Sequence, residues 1–157
     1  MEQIAIISDI HGNSPALDAV IEDIVKRNIT RVFCLGDLVG KGPDPLQAVD
    51  KVRNLCEVVI RGNWDDKITL PPLNERWVWQ LSQQPLLGKE RLIYLSTLPL
   101  SFDFFMSGRR VRLFHASPKS IYTRVKAGAA KADKLEMFKN THLTGYMYSK
   151  IVPDIVG

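Results

Sequence analysis

Asp9 and His11 (in the run Asp9-Ile10-His11), Asp37, Asn63 and His115 each stand at the end of an apolar run. All five are of types that bind divalent cations. Asp and Asn offer hard oxygen ligands and histidine a neutral imidazole nitrogen, a mixture that accepts several divalent metals. Hydrolysis of a phosphate ester at two ions needs such a set, with cations about 4 Å apart, a shared carboxylate and a bridging hydroxide for in-line attack. Taken singly, each signal is weak. Asp-x-His recurs by chance, Gly36-Asp37 and Gly62-Asn63 are ordinary turn pairs, and a lone His115 is more often a hydrogen-bonded structural residue. Taken in order, each after an apolar run, they predict one metal site.

The preceding runs set the geometry. Residues 4–8, 32–35 and 58–60 read as strands, near-continuously apolar as expected when both faces of a parallel sheet are covered. Asp9 to Asp37 and Asp37 to Asn63 are about 28 and 26 residues, roughly one βαβ unit each. Between the strands, Ser14 is the expected helix cap, with Pro15 at the first helical position. Leu17, Val20, Ile21, Ile24 and Val25 form the apolar stripe of that helix. After a loop at residues 40–43, Pro45 opens a second helix carrying Leu46, Val49 and Val52. The order βαβαβ brings the C-terminal strand ends to one sheet edge, where ligand sites gather. Asp9 and His11 project the same way if the chain stays extended, Asp37 is placed to bridge, and Gly62 permits a tight turn before Asn63.

Further along, Trp77, Trp79 and Leu81 lie in a segment with helical potential, and residues 88–97 form another helix candidate. Residues 102–106 and 111–115 flank Ser107-Gly108-Arg109 in the pattern of a hairpin, with His115 at its end. Residues 129–138 read as helix, and residues 151–156 as a strand interrupted by Pro153.

A chain of 157 residues has room for one domain with a real core. No apolar stretch approaches the roughly 20 residues of a membrane span, and the N-terminus enters a strand too soon for a signal peptide. Cys34 and Cys56 sit in apolar runs with no Cys-x-x-Cys spacing and read as buried reduced thiols; a cytoplasmic location is expected. The net charge of +4 is mild. The densest basic run, Arg109-Arg110 with Arg112, reads as a solvated turn rather than a nucleic-acid footprint.

The motifs Asp9-Ile10-His11-Gly12-Asn13, Gly36-Asp37-Leu38-Val39-Gly40, Gly42-Pro43, Gly62-Asn63-Trp64-Asp65 and His115-Ala116-Ser117-Pro118 resemble successive motifs of the calcineurin-like metallophosphoesterase superfamily. The resemblance covers residues 3–118 and is nearest to the bacterial diadenosine-tetraphosphatase-like and phosphodiesterase branch. It implies an α/β fold, a two-sheet sandwich flanked by helices in four layers (α/β/β/α), and a dinuclear Mn, Fe, Zn or Ni centre. By resemblance, Asp9, His11 and Asp37 hold one ion, and Asp37, Asn63 and His115 the other. Asn63, Asn13 and Lys41 would contact the phosphate of a mono- or diester, a nucleotide among the candidates.

Two departures from the superfamily pattern bear on activity. Its third motif normally continues Gly-Asn-His-Asp/Glu, where the histidine protonates the leaving group or steadies the transition state. Trp64 stands there instead, and indole has no basic nitrogen. Asp65 would thereby lose the histidine it orients. The usual last motif, Gly-His-x-His, is absent after residues 153–157, and His142 is expected to be a surface or structural residue. These points predict a single, incomplete domain over residues 1–157, lacking C-terminal strands and exposing a sheet edge open to self-association. A cap insertion is expected at about residues 71–99, packed by Trp77 and Trp79. The expected activity is metal-dependent phosphoester hydrolysis. The alternative is a catalytically weak or inactive metal- or nucleotide-binding remnant.

Overall fold

A computed structural model describes residues 2–71 and 78–157. Trp77, and the side chains of Trp79 and Leu81, lie outside the described residues.

The first strand, β1 (Ala5–Ile7), pairs in parallel with β2 (Val32–Cys34), and β2 pairs in parallel with β3 (Val58–Val59), giving the order β1-β2-β3. Helices α1 (Ser14–Lys26) and α2 (Pro45–Leu55) make the two crossovers. The βαβαβ reading is therefore correct in order and direction. The cap of α1 differs from expectation: Asn13, not Ser14, precedes the helix, and its side-chain oxygen accepts from Ala16 N at 3.2 Å. Asn is at least as good a cap as Ser. The apolar stripe is also narrower than expected. Leu17 and Ile24 are buried, whereas Val20 and Val25 are exposed.

Helix α3 (Asn63–Thr69) follows β3 and begins at Asn63 itself. Helix α4 (Val78–Thr97) contains both predicted helical segments, kinked at Gly88, whose φ of 70° and ψ of 168° are not helical. Then β4 (Ser101–Met106) and β5 (Arg109–Phe114) form the expected antiparallel hairpin about Ser107 and Gly108, both at positive φ as a two-residue turn requires. A short α5 (Lys131–Glu136) precedes β6 (Ile155–Val156), which joins β5 in parallel, giving a second sheet of order β4-β5-β6.

Two cores result. Ile7, Leu17, Val32, Val49, Val52, Leu87 and Leu95 pack between the first sheet and its helices. Phe33, Ile60, Phe104, Val111 and Leu113 pack between the two sheets, with Phe33 and Phe104 stacked at 4.8 Å. This is the two-sheet sandwich flanked by helices. Among the described residues β1 is an edge strand, with Ile6 exposed.

The basic run at the hairpin is a correction. Arg109 is solvated, but Arg112 is 0% exposed, and its Nε donates to Asp103 Oδ1 at 2.8 Å. Arg110 Nε donates to Asp103 Oδ2 at 2.7 Å, and both guanidinium groups lie over the Tyr146 ring. Strand alternation puts Arg110 and Arg112 on one face, and the register sets Asp103 directly opposite Arg112. A cross-strand carboxylate thus turns an apparent surface run into a buried ion pair. Cys34 and Cys56 are free thiols; Cys34 is buried as expected, whereas Cys56 is only partly buried. No described helix is long and apolar enough to cross a membrane.

Candidate metal centre

The loops after β1 and β2 are stitched together by backbone hydrogen bonds: Asp9 N to Gly36 O, His11 N to Asp37 O and Gly12 N to Leu38 O, at 2.8–3.0 Å. These continue the strand pairing past the sheet edge and bring Asp9, His11 and Asp37 together. Oxygen and nitrogen atoms of the three lie within 4.8 Å of one another. The chain does not stay extended here. Asp9, His11 and Asp37 have φ of 55°, 51° and 58°, and Lys41 and Ala116 are also at positive φ. Left-handed backbone at non-glycine residues costs about 1–3 kcal/mol each and clusters at functional sites.

Both histidines are held in one tautomer. His11 Nδ1 donates to Val39 O at 2.9 Å, and His115 Nδ1 donates to Leu35 O at 2.8 Å. A carbonyl only accepts, so each Nδ1 carries the proton and each Nε2 presents a lone pair, the arrangement seen in metal-ligating histidine. Both Nε2 atoms lie 3.7 Å from Asp37 Oδ2. His11 Nε2 is also 3.6 Å from Asp9 Oδ1, and His115 Nε2 is 3.1 Å from Asn63 Oδ1.

Asp37 is the pivot. It is 0% exposed; Oδ1 accepts from Trp64 N at 2.8 Å, while Oδ2 is buried with no hydrogen-bond partner. Burial raises its pKa above the ordinary carboxylate value, against the lowering effect of the Trp64 N–H and the two histidines. An orphaned carboxylate oxygen between two imidazole lone pairs is costly without a cation. Ligands about 2.0–2.2 Å from one ion stand roughly 3–3.6 Å apart, which matches these separations. The donor set therefore fits divalent cations. Asp9, His11 and Asp37 could hold one, and Asp37, Asn63 and His115 a second, with Asn63 Oδ1 and His115 Nε2 facing each other as two acceptors.

Asn63 is buried at the start of α3. Gly62 before it is extended, with φ of −85°, so no tight turn explains this glycine. A Cβ there would lie 2.2 Å from Asp37 Oδ1, so glycine is required by close approach to the carboxylate. Lys41 Nζ donates to His11 Nε2 at 3.1 Å and lies 5.3 Å over the Trp64 ring. Trp64 in turn meets the His11 ring edge-on at 5.6 Å. Asn13 sits on the same edge with its oxygen engaged as the α1 cap, and His142 is exposed in a turn, as expected.

Asp65 overturns its expectation. It is not stranded by the loss of a histidine, because it is 0% exposed and accepts backbone N–H bonds from Asp37 at 2.7 Å, Leu38 at 2.8 Å and Gly62 at 3.0 Å. Burial pushes its carboxyl up to about 6 despite those bonds. It ties the Asp37 loop to the start of α3.

The family profile described as calcineurin-like phosphoesterase matches residues 3–146. The chain belongs to this family. An uncharacterized protein of Methanocaldococcus jannaschii, MJ0912, is 39% identical over 121 residues, covering 74% of this chain and 50% of that protein. Phosphodiesterase YfcE of Escherichia coli is 29% identical over 106 residues, covering 59% of this chain and 55% of that enzyme. The crystal structure of a metallophosphoesterase from Sphaerobacter thermophilus superposes with a TM-score of 0.71 at 29% identity, over 87% of this chain and 56% of that one. The chain spans about half the length of the curated relatives it matches.

Proposed function

We propose that this calcineurin-like phosphoesterase chain is a metal-dependent hydrolase of phosphate mono- or diesters, with a nucleotide among its substrates. One observation supports this above others: the buried, unpartnered Asp37 Oδ2, 3.7 Å from the Nε2 atoms of both His11 and His115. In this reading Asp9, His11 and Asp37 hold one ion, and Asp37, Asn63 and His115 the second, with Mn²⁺ the first metal to try. The ions would supply a bridging hydroxide nucleophile and neutralise charge developing on phosphorus.

The chain's own residues do the rest. The backbone carbonyls of Val39 and Leu35 fix the two imidazoles, so the Nε2 lone pairs stay directed at the site. Lys41 brings an ammonium beside His11, and the amide NH₂ groups of Asn63 and Asn13 would complete a set of donors for phosphate oxygens. Trp64 gives no proton, so the leaving group departs as an anion. Loss of a general acid costs about 10²–10⁴ in rate, which selects substrates with acidic leaving groups. A reducing compartment such as the cytoplasm suits the free thiols Cys34 and Cys56. Self-association through the exposed edge of β1 is part of the same proposal.

Hydrolysis of bis-p-nitrophenyl phosphate with excess Mn²⁺, beside an Asp37→Asn control, tests the reading. Activity in the wild type and none in the variant is expected. Trp64 specifically favours a second reading, an inactive metal- or nucleotide-binding remnant. Mn²⁺ binding without any hydrolysis would establish that reading and overturn the first.

A further inference from the structure

Lys41 stands between two glycines, and both are held from outside their own loop. Gln83 of α4 accepts from Gly40 N through Oε1 at 2.9 Å and donates to Gly42 O through Nε2 at 3.1 Å. The residue is 8% exposed, so this two-point clamp is protected from water. Gln80 and Gln84, on the same helix face at spacings of three and four residues, reach the end of α3. Gln80 donates to the carbonyls of Lys67 and Leu70, and Gln84 donates to Ile68 O at 2.7 Å. One face of α4 therefore grips the loop bearing Lys41 and the C-terminal end of α3, the helix that begins with Asn63 and Trp64.

Gly40 is at φ of 86°, and a Cβ there would come within 2.4 Å of the Trp64 ring. Lys41 itself is left-handed at φ of 53°. Gly42 N donates to His11 O at 2.7 Å, which fixes the loop to the metal side. Without Gln83, a strained segment would keep one of its anchors and lose the other, freeing Lys41 Nζ from its place beside His11.

We propose that Gln83 is a positioning residue that sets the Lys41 ammonium at the phosphate-receiving face, making α4 part of the substrate site. This rests on the phosphoesterase reading above, in which Lys41 meets phosphate.

The test uses the whole chain, with Mn²⁺ added and inorganic phosphate as the probe, its affinity measured by calorimetry. Lys41→Ala removes a charge-assisted hydrogen bond and should weaken phosphate about 10- to 100-fold. Gln83→Leu should weaken it by a comparable factor, with Mn²⁺ affinity unchanged, and should speed hydrogen exchange at the Gly40 amide. Because the two act as one unit, the double variant should bind no more weakly than Lys41→Ala alone. Gln83→Glu keeps the acceptor for Gly40 and loses the donor to Gly42, so an intermediate loss is expected. It carries the same test if the leucine variant unfolds. Wild-type phosphate affinity in a folded Gln83 variant, or additive losses in the double variant, overturns the positioning role alone. A wild-type chain that takes Mn²⁺ but no phosphate overturns the phosphoesterase reading, and this inference with it.

Discussion

Asp65→Ala should destabilise the chain by about 3 kcal/mol at neutral pH, although Asp65 is not among the candidate ligands. The carboxylate accepts three short backbone N–H bonds, from Asp37, Leu38 and Gly62, and is fully buried. Each orphaned buried donor costs about 1–3 kcal/mol, so the three lose about 6 kcal/mol together. Against this, the wild type carries a buried charge. Its carboxyl is raised from 3.8 up to about 6, chiefly by desolvation, and removing that charge returns about 3 kcal/mol. The raised value also fixes the pH dependence. The folded chain holds a proton that the unfolded chain releases, so this group's contribution to stability is fully present below about 3.8 and is lost as pH rises through about 6. The penalty of the substitution is therefore larger at pH 5 than at pH 7.5, by about 1 kcal/mol. Urea unfolding followed by circular dichroism, in chelator-treated buffer at both pH values, measures it. Asp18→Ala, which breaks an exposed pair with Lys51, serves as the control and should stay within about 0.5 kcal/mol. A loss below 1 kcal/mol for Asp65→Ala, or one that shrinks toward acid, refutes the account of Asp65 as the tie between the Asp37 loop and α3.

Arg112→Met should cost about 1–3 kcal/mol in the same unfolding assay, since Asp103 loses the Arg112 bonds but keeps the one from Arg110 Nε. Trp64→His restores an imidazole at the leaving-group position and should raise the rate on alkyl phosphodiesters by about 10²-fold or more, with much less effect on nitrophenyl esters. Equal gains on both classes would show that Trp64 does not govern leaving-group protonation. Mn²⁺ at 100 times its dissociation constant should stabilise the wild type by about 2.7 kcal/mol, and Asp37→Asn should abolish that gain in a thermal melt.

The sheet and the site were readable to different depths. The parallel βαβαβ order follows from apolar runs at βαβ spacing, and the metal-binding residue types mark the strand ends. Three features depend mainly on contacts between segments remote in sequence. Asp65 is buried because the remote residues Asp37 and Leu38, together with nearby Gly62, turn their N–H groups toward it. Arg112 is buried because a hairpin register places Asp103 opposite it. Gln83 has a local signal, glutamines at 80, 83 and 84 on one helix face, but their carbonyl partners lie in other segments. The missing piece in each case is a polar partner supplied by tertiary structure, whereas periodicity reports only apolar burial.

The backbone itself indicates where the fold has been compromised for a ligand. Among the described residues, seven non-glycine residues are at positive φ, and Asp9, His11, Asp37, Lys41 and Ala116 are five of them. The same few loops contain the unpartnered Asp37 Oδ2 and two buried carboxyls whose pKa values are raised by desolvation. At about 1–3 kcal/mol per left-handed residue, this cost is comparable to the whole stability of an ordinary domain, about 5–15 kcal/mol. A structural turn would not need so much strain, nor would it aim two imidazole lone pairs at a buried carboxylate oxygen. A bound cation would relieve the electrostatic part directly, by giving Asp37 Oδ2 the partner that no described protein group supplies. The backbone part remains, and it is the cost of bringing Asp9, His11 and Asp37 together at one sheet edge.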